Sequence, residues 1–467
     1  MLAGSKADGS DWAEDEFGAV ALGDARLTSR LVALVRSLAR APDTSLPQAL
    51  PKWSELKAAY RFFDNAKAVP DHILFGHIEA TRSRLRTVPI VLAVQDTTYL
   101  NWEHHPATQG LGRLSVVGCR MRGGAGRGII CHSTLAVTPE RLPLGLLAQR
   151  NWVRDDETFG TLPSHKKRPL EDKESVKWLD SVEALVAARE ACPETTFVSV
   201  GDREADVFEL FAMGRPAGVE LLVRVSWNRV VDSPHRYLWE TLQTANVLGT
   251  IEVCAPRRPG EPIRQCKLSL RSLPITLKPP QARKRLGTVS LWGVLATETS
   301  PPKGEKAIEW LLLTTFPTPS VNDAIERVHW YTCRWTIEVW HRVLKTGCRI
   351  ESRQLGTADR LAVALTLYSI IAWRILYATM LARTTPDVSC AVILSTEEWQ
   401  ALYCNVNRVP EPAATPPPLA EAVLWIAKQG GFLARKSDGE PGPQVLWRGF
   451  QHLPYITDMF LIMRQNE

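Results

Sequence analysis

No two cysteines in this sequence are spaced as a CxxC pair; the nine present are scattered and odd in number. Neither a disulfide framework nor a zinc site is therefore indicated, and a reducing cytoplasm fits. The N-terminus carries no secretory signature, since Met1 to Phe17 is polar and acidic. No apolar run is long enough to span a bilayer. The most apolar one, Leu361 to Trp373, is flanked by Asp359-Arg360 and ended by Arg374, and reads as a buried helix with no membrane partner. There is no internal repeat and no Ser/His/Asp arrangement for nucleophilic catalysis. The pair His104-His105 carries no metal expectation, because adjacent residues on a strand point to opposite sides.

What is present is an ordinary globular balance, 45% hydrophobic and 23% charged, in 467 residues, long enough for more than one domain. The net charge is only +6 but is unevenly placed. Residues 20–61 hold seven Lys/Arg against three acids, and residues 254–285 hold nine against Glu261 alone. Two separated basic patches suggest a polyanion touched at more than one place.

The stretch Tyr331 to Lys345 contains neither Gly nor Pro and follows a helix-start signal at Ser320-Val321-Asn322-Asp323. At ~100° per residue, Tyr331, Arg334, Glu338, Arg342 and Lys345 fall on one helix face, with Ile325, Val328, Cys333, Ile337, Val339 and Leu344 opposite. That face reads either as a solvated surface of spaced ion pairs or as a metal-binding carboxylate beside phosphate-binding cations. Two buried-strand runs each end on an acid, Ile90 to Asp96 and Thr196 to Asp202. With Glu338 they form a carboxylate triad on separate elements of an α/β core, where sites gather at strand carboxyl ends. Carboxylates without His or Cys favour Mg²⁺ or Mn²⁺, and a metal pair suits attack on phosphodiesters.

Residues 10–70 read as helices. Leu27, Leu31, Leu34, Val35 and Leu38 form an apolar stripe, and Arg26, Arg30, Arg36 and Arg40 gather opposite; a second helix from Trp53 displays Lys57, Tyr60 and Arg61. Arginines on small helices suit DNA reading, with a solvated face as the alternative. The expected organisation is a helical DNA-binding domain over 1–70, a catalytic domain over 71–384 with inserted β-strands at about 235–310, and a C-terminal region over 385–467.

These residues resemble those of bacterial cut-and-paste DDE transposases with a YREK signature, encoded by insertion sequences and composite resistance transposons. The spacing Y-(2)-R-(3)-E-(6)-K is met by Tyr331, Arg334, Glu338 and Lys345. Gln95-Asp96-Thr97-Thr98 and Asp202-Arg203-Glu204-Ala205-Asp206 are similar to the family's first and second acid boxes, and the likeness runs nearly the whole chain. It implies a ribonuclease-H-like core with an inserted β-strand subdomain, flanked by helical DNA-binding and helical dimerisation regions. It also implies that Asp96, Asp202 and Glu338 hold two Mg²⁺ (Mn²⁺ substituting). The implied partners are double-stranded DNA, as terminal inverted repeats and as target, and a second copy of the chain in the synaptic complex. Tyr331, Arg334, Trp335, Arg342 and Lys345 are then placed to contact the DNA strand. Trp310 matches the family's tryptophan that stacks on a flipped base, although a Trp before three leucines reads from sequence alone as core. The chain departs from some relatives in having Ile129-Ile130-Cys131, not a tryptophan pair, before His132-Ser133. The alternative function is a non-catalytic derivative that binds ends or inhibits an active partner.

Overall fold

The computed structural model describes residues 11–114, 126–155, 173–255 and 264–465. Local capping chemistry sets the first helices. Asp11 accepts from the Ala13 amide to start α1 (Trp12–Phe17), and Asp24 accepts from the Arg26 amide to start α2 (Ala25–Arg40). Next come α3 (Leu46–Ala49), α4 (Trp53–Phe63) and α5 (Pro70–Leu85). The expected stripe of α2 is buried throughout. Strands β1 (Ile90–Asn101), β2 (Gly112–Arg113), β3 (Arg127–Val137) and β4 (Pro143–Trp152) follow. Helix α6 (Lys177–Ala191) leads to β5 (Thr196–Gly201), α7 (Phe208–Ala212), β6 (Val219–Arg224) and α8 (Leu238–Gln243). Four strands come next: β7 (Gly249–Ala255), β8 (Arg264–Leu277), β9 (Val289–Glu298) and β10 (Glu309–Thr314). The chain ends in α9 (Val321–Thr332), α10 (Trp335–Arg342), α11 (Ala358–Thr384), α12 (Thr396–Asn407), α13 (Leu419–Gln429) and α14 (Pro443–Gln465).

Internal contacts divide the chain into two units that interleave along the sequence, a different grouping from three consecutive segments. One comprises Met1–Val88, Thr97–Pro163 and Thr336–Glu467; the other comprises Pro89–Asp96 and Ser164–Trp335.

The second unit is built on a mixed sheet. The first half of β1 runs parallel to β5, and β5 parallel to β6; β6, β10, β9, β8 and β7 then pair antiparallel in that order. The strands expected as an inserted subdomain thus continue the same sheet. Strand β10 pairs with β6 on one side and β9 on the other, so both of its edges are satisfied. A second expectation also changes. The first acid strand does not end at Asp96 but runs on through Thr97, Thr98 and Tyr99 to Asn101, residues that favour extended backbone.

The helix expected to run from Ser320 through Lys345 is interrupted. It starts as foreseen in a capping box of Ser320 and Asp323, but Cys333 and Arg334 form a turn. There the Cys333 amide is shared between the His329 and Trp330 carbonyls, and the Arg334 amide reaches only to Tyr331, a tightening to i−3 spacing. Beyond α10, residues Val343–Gly347 widen into a π-helix. A uniform rotation of ~100° per residue therefore does not hold across this stretch. Tyr331 and Arg334 are buried while Glu338 and Arg342 are exposed.

In the first unit the apolar run expected to be too short to span a bilayer belongs to the 27-residue α11, which by length and composition could cross one, yet 83% of its most apolar window is buried inside the fold, as a core helix. It packs on β4, α5, α13 and α14. Two glycines let α13 and α14 close: a Cβ at Gly449 would meet the Ile426 carbonyl oxygen at 1.8 Å, and one at Gly430 the Val445 oxygen at 1.8 Å.

The same unit buries charge. Glu16 accepts from Arg84 Nη1 at 2.6 Å and lies 2.6 Å from His77 Nδ1. The Leu146 amide donates to His77 Nε2 at 3.0 Å, which fixes the proton on Nδ1 and makes a neutral His77 the donor to Glu16. Burial pushes Glu16 upward, but the charge of Arg84 and the His77 contact outweigh it and bring the carboxyl down to about 2. Burial lowers His77 below its ordinary value, Glu16 opposing. Because Glu16 titrates lower when folded than unfolded, its stabilisation is complete above pH ~4.5 and is lost as pH falls toward 2, worth about 3 kcal/mol. Below pH ~6.5 the depressed His77 adds to the loss, since the unfolded chain takes up that proton first. Glu16→Gln is expected to lower stability at neutral pH and flatten its fall between pH 4.5 and 2, as measured by urea unfolding across pH.

Candidate active site

Two parallel strands bring two acids to one level. The β1–β5 register runs from Ile90 with Thr196 to Val94 with Val200, so Asp96 and Asp202, which follows the last residue of β5, come to the same end of the strand pair, close enough for the charge of Asp96 to act on Asp202. Neighbouring strands lie ~4.8 Å apart, so the carboxyl groups share one small volume. Arg334 Nη1 stands 3.9 Å from Asp96 Oδ2, and Arg334 itself is 8% exposed. Gln95, also buried, donates to Ser199 Oγ at 2.8 Å and ties the two strands just behind the acids.

Asp202 is also a cap, as strand-end acids commonly are: Oδ1 accepts from the Glu204 amide at 2.8 Å. Its pKa is nonetheless raised. Burial is the main cause, and the charges of Glu204 and Asp96 add to it; the Glu204 hydrogen bond and Arg334 pull the other way. Two crowded carboxylates restrained by one guanidinium form a hard, oxygen-only donor pair that a divalent cation would relieve. Glu338, the third expected acid, is exposed on α10 in the other unit. Among the described residues no cluster of three or more His, Cys, Asp and Glu is grouped to hold a metal.

The aromatic and basic residues divide. Trp310, on β10, is 4% exposed, with Tyr331 at 5.7 Å and Trp335 at 5.8 Å, both edge-to-face. Tyr331 is 3% exposed, whereas Trp335 is only half-buried. Trp310 is thus buried, in line with its reading as a core residue; Tyr331, expected on the charged helix face, is buried beside it, and Trp335 is the accessible member of the cluster. Arg342 is exposed. Lys345 Nζ donates to the Tyr99 carbonyl at 2.7 Å, leaving two of its three donors.

Sequence reasoning gave Asp206 no role. Its buried carboxylate accepts from the Ser226 and Trp227 amides and pairs with Arg229. Asp202 and Asp206 are four residues apart, so the spacing was visible, but not which acid faced inward.

In the first unit Arg26 and Arg30 are exposed and line a groove of about 600 Å³ with Ser29, Ser37, Ser54 and Glu55. On α4, Trp53 (72% exposed), Lys57, Tyr60 and Arg61 also face solvent. The basic patch of 254–285 is different. Arg264 pairs with Glu298 and Glu305, Lys278 with Asp232 and Arg283 with Glu209, so acids distant in sequence pair with three of its cations, while Lys267, Lys284 and Arg285 are exposed. Arg257 and Arg258 lie outside the described residues.

Comparison with known families identifies both ends of the chain. Residues 9–68 match the transposase DNA-binding family, and residues 370–462 match the Transposase Tn5 dimerisation domain. The two matches support DNA binding, homodimer formation and a Tn5-type transposase.

The buried setting of Trp310 yields a test. Trp310→Ala is expected to cost ~3–5 kcal/mol of folding free energy, and Trp310→Phe clearly less. Denaturant midpoints of the two variants measure it; an unchanged midpoint for the alanine variant would show that the indole is not core.

Proposed function

We propose that the chain is a DNA transposase. It binds the terminal inverted repeats of a mobile element through residues 9–68, pairs through residues 370–462, and cuts and joins DNA at Asp96, Asp202 and Glu338. The observation that carries this reading is the carboxylate pair of Asp96 on β1 and Asp202 just past β5, in a chain whose two ends match DNA-binding and dimerisation families. The order of elements supports a ribonuclease-H-like core: a strand, an antiparallel hairpin (β3–β4), a helix, and two strands parallel to one another, the first of them parallel to β1.

Asp96, Asp202 and Glu338 are the residues that would hold two Mg²⁺, or Mn²⁺ in their place. Bound there, such ions supply an activated oxygen nucleophile and charge to stabilise the leaving 3′ oxygen. Asp96 and Asp202 provide hard oxygen donors at one level. Arg334 holds Asp96 in place and offsets part of the negative charge before DNA arrives. Arg342 and the free donors of Lys345 neutralise phosphates of the strand being cut, and Arg26 and Arg30 neutralise those of the bound end. Trp335 offers a ring to a base displaced from the bent strand, buttressed by Trp310 and Tyr331.

The reaction balances without a covalent protein intermediate. Water attacks the phosphodiester at the element's end and frees a 3′-OH. That hydroxyl attacks the opposite strand to form a hairpin, which a second water opens to a blunt end. The same 3′-OH then attacks target DNA, displacing a 3′ oxygen there.

DNA on either side of the coding region is expected to carry short inverted repeats. On a substrate with those repeats, Asp96→Ala, Asp202→Ala and Glu338→Ala should each abolish Mg²⁺-dependent cleavage and leave end binding largely intact in gel-shift assays. Normal cleavage by any one of the three would falsify the assignment. End binding without cleavage by the wild-type chain would instead identify a non-catalytic derivative. Arg342→Ala and Lys345→Ala should slow hairpin formation more than first-strand nicking, and each should shallow the salt dependence of binding by about one phosphate. Equal losses at both steps would mean that they only support the fold.

A further inference from the structure

Trp227 is 67% exposed, yet the backbone that carries it is held from both sides. The buried Asp206 carboxylate accepts from the Ser226 amide at 2.7 Å and the Trp227 amide at 2.9 Å. Arg229 locks the same acid, donating to Asp206 Oδ1 at 2.7 Å and to its carbonyl at 2.6 Å. On the far side, the Asn228 side chain donates to both Glu240 oxygens, at 3.2 and 3.0 Å, and accepts from the Trp239 amide at 3.1 Å. A large rigid ring on a fixed backbone loses little freedom when it meets a ligand, which is the economy of a preorganised contact.

Its place in the sheet gives the ligand. The β5–β6 register ends with Gly201 paired to Val223, so Arg224 and Asp202 each follow the last paired residue at the same end of the two strands, and Trp227 comes three residues after Arg224. Across the other edge of β6, Arg224 pairs with Leu312 and the Val225 amide donates to Leu311 at 2.8 Å, which leads toward Trp310. The indole therefore emerges past the carboxyl ends of β5 and β6. One short segment serves both places: Asp202 joins the acid pair, and Asp206 anchors the loop. Arg203 is exposed and Arg224 half-buried on the same two strand ends, while the flanking Ser226 and Asn228 are polar and exposed. An isolated ring among cations and polar groups does not make the apolar field of a protein interface. It suits a flat base on a strand whose phosphates the arginines neutralise.

We infer that Trp227 is a nucleobase-stacking residue that takes an unpaired DNA base beside the strand handled at Asp96 and Asp202. The inference rests on the DNA-processing function proposed above, and assigns to it a contact outside the acid triad and the helix that follows it.

The test uses the full-length protein and two labelled probes, a blunt duplex and the same duplex extended by a short unpaired 3′ tail of thymidines containing 2-aminopurine. The wild-type chain is expected to bind the tailed probe more tightly and to quench the 2-aminopurine. Trp227→Ala should lose roughly 5- to 100-fold in affinity for the tailed probe together with the quench, and bind the blunt duplex unchanged. Trp227→Phe should retain most of both signals. Because the side chain is exposed, the alanine variant should unfold at the wild-type denaturant midpoint. Unchanged tailed-probe binding by Trp227→Ala, or an equal loss on both probes, overturns the inference while leaving the proposed function standing. Absence of binding by the wild-type chain to either probe counts against both.

Discussion

The parallel register between β1 and β5 is the constraint on which the candidate site depends. Side chains on adjacent parallel strands meet only when the register matches residue for residue, and a slip of one position would turn one acid to the opposite face. Here Val91 to Val94 and Phe197 to Val200 are buried, so the apolar runs themselves hold the register that brings Asp96 and Asp202 to the same end of the strand pair. Burial then raises Asp202, and Arg334 keeps the two negative charges tolerable. The site is assembled by hydrophobic packing and tuned by one buried cation.

The first unit shows the reverse relation, with charge holding apolar elements together. Glu16 lies within the matched DNA-binding segment and Trp373 within the matched dimerisation segment. Arg84 touches both, as an ion pair at 2.6 Å and over the Trp373 ring at 4.4 Å. Trp373 also meets His77 edge-on and donates to the Pro143 carbonyl at 2.7 Å. A buried ion pair of this kind repays its desolvation only when its remaining hydrogen bonds are made. His77, Thr81 and the backbone of Leu144 and Leu146 supply them. The segment matched as DNA-binding is thus joined by side chains to the rest of its unit.

Charge density along the sequence was a partial guide to charge on the surface. In the denser basic patch Arg264, Lys278 and Arg283 are paired with Glu298, Glu305, Asp232 and Glu209, while Lys267, Lys284 and Arg285 are exposed, as are Arg26, Arg30, Lys57 and Arg61 on α2 and α4. A cation paired at short range presents little field to an approaching phosphate. Four exposed cations on short helices, beside Trp53 and Tyr60, present more.

From the sequence alone, the buried strand runs leading to Asp96 and Asp202, the apolar stripe of α2, the buried α11 and the spacing from Tyr331 to Lys345 were all legible, but not that the first strand continues to Asn101. Each is written in neighbouring residues, as periodicity, caps or runs of β-branched side chains. Tertiary structure alone decided that the strands from β7 to β9 extend one sheet, because sheet order depends on pairing between distant segments. It alone decided that a turn at Cys333-Arg334 breaks the helix and that Trp310 and Tyr331 lie inside an aromatic cluster. It also selected Asp206 over its neighbours as the buried anchor of the Trp227 loop. Which side of an element meets solvent is set by what packs against it, and those partners, Ser226 and Arg229 for Asp206 and Trp335 for Trp310, come from other elements of the chain.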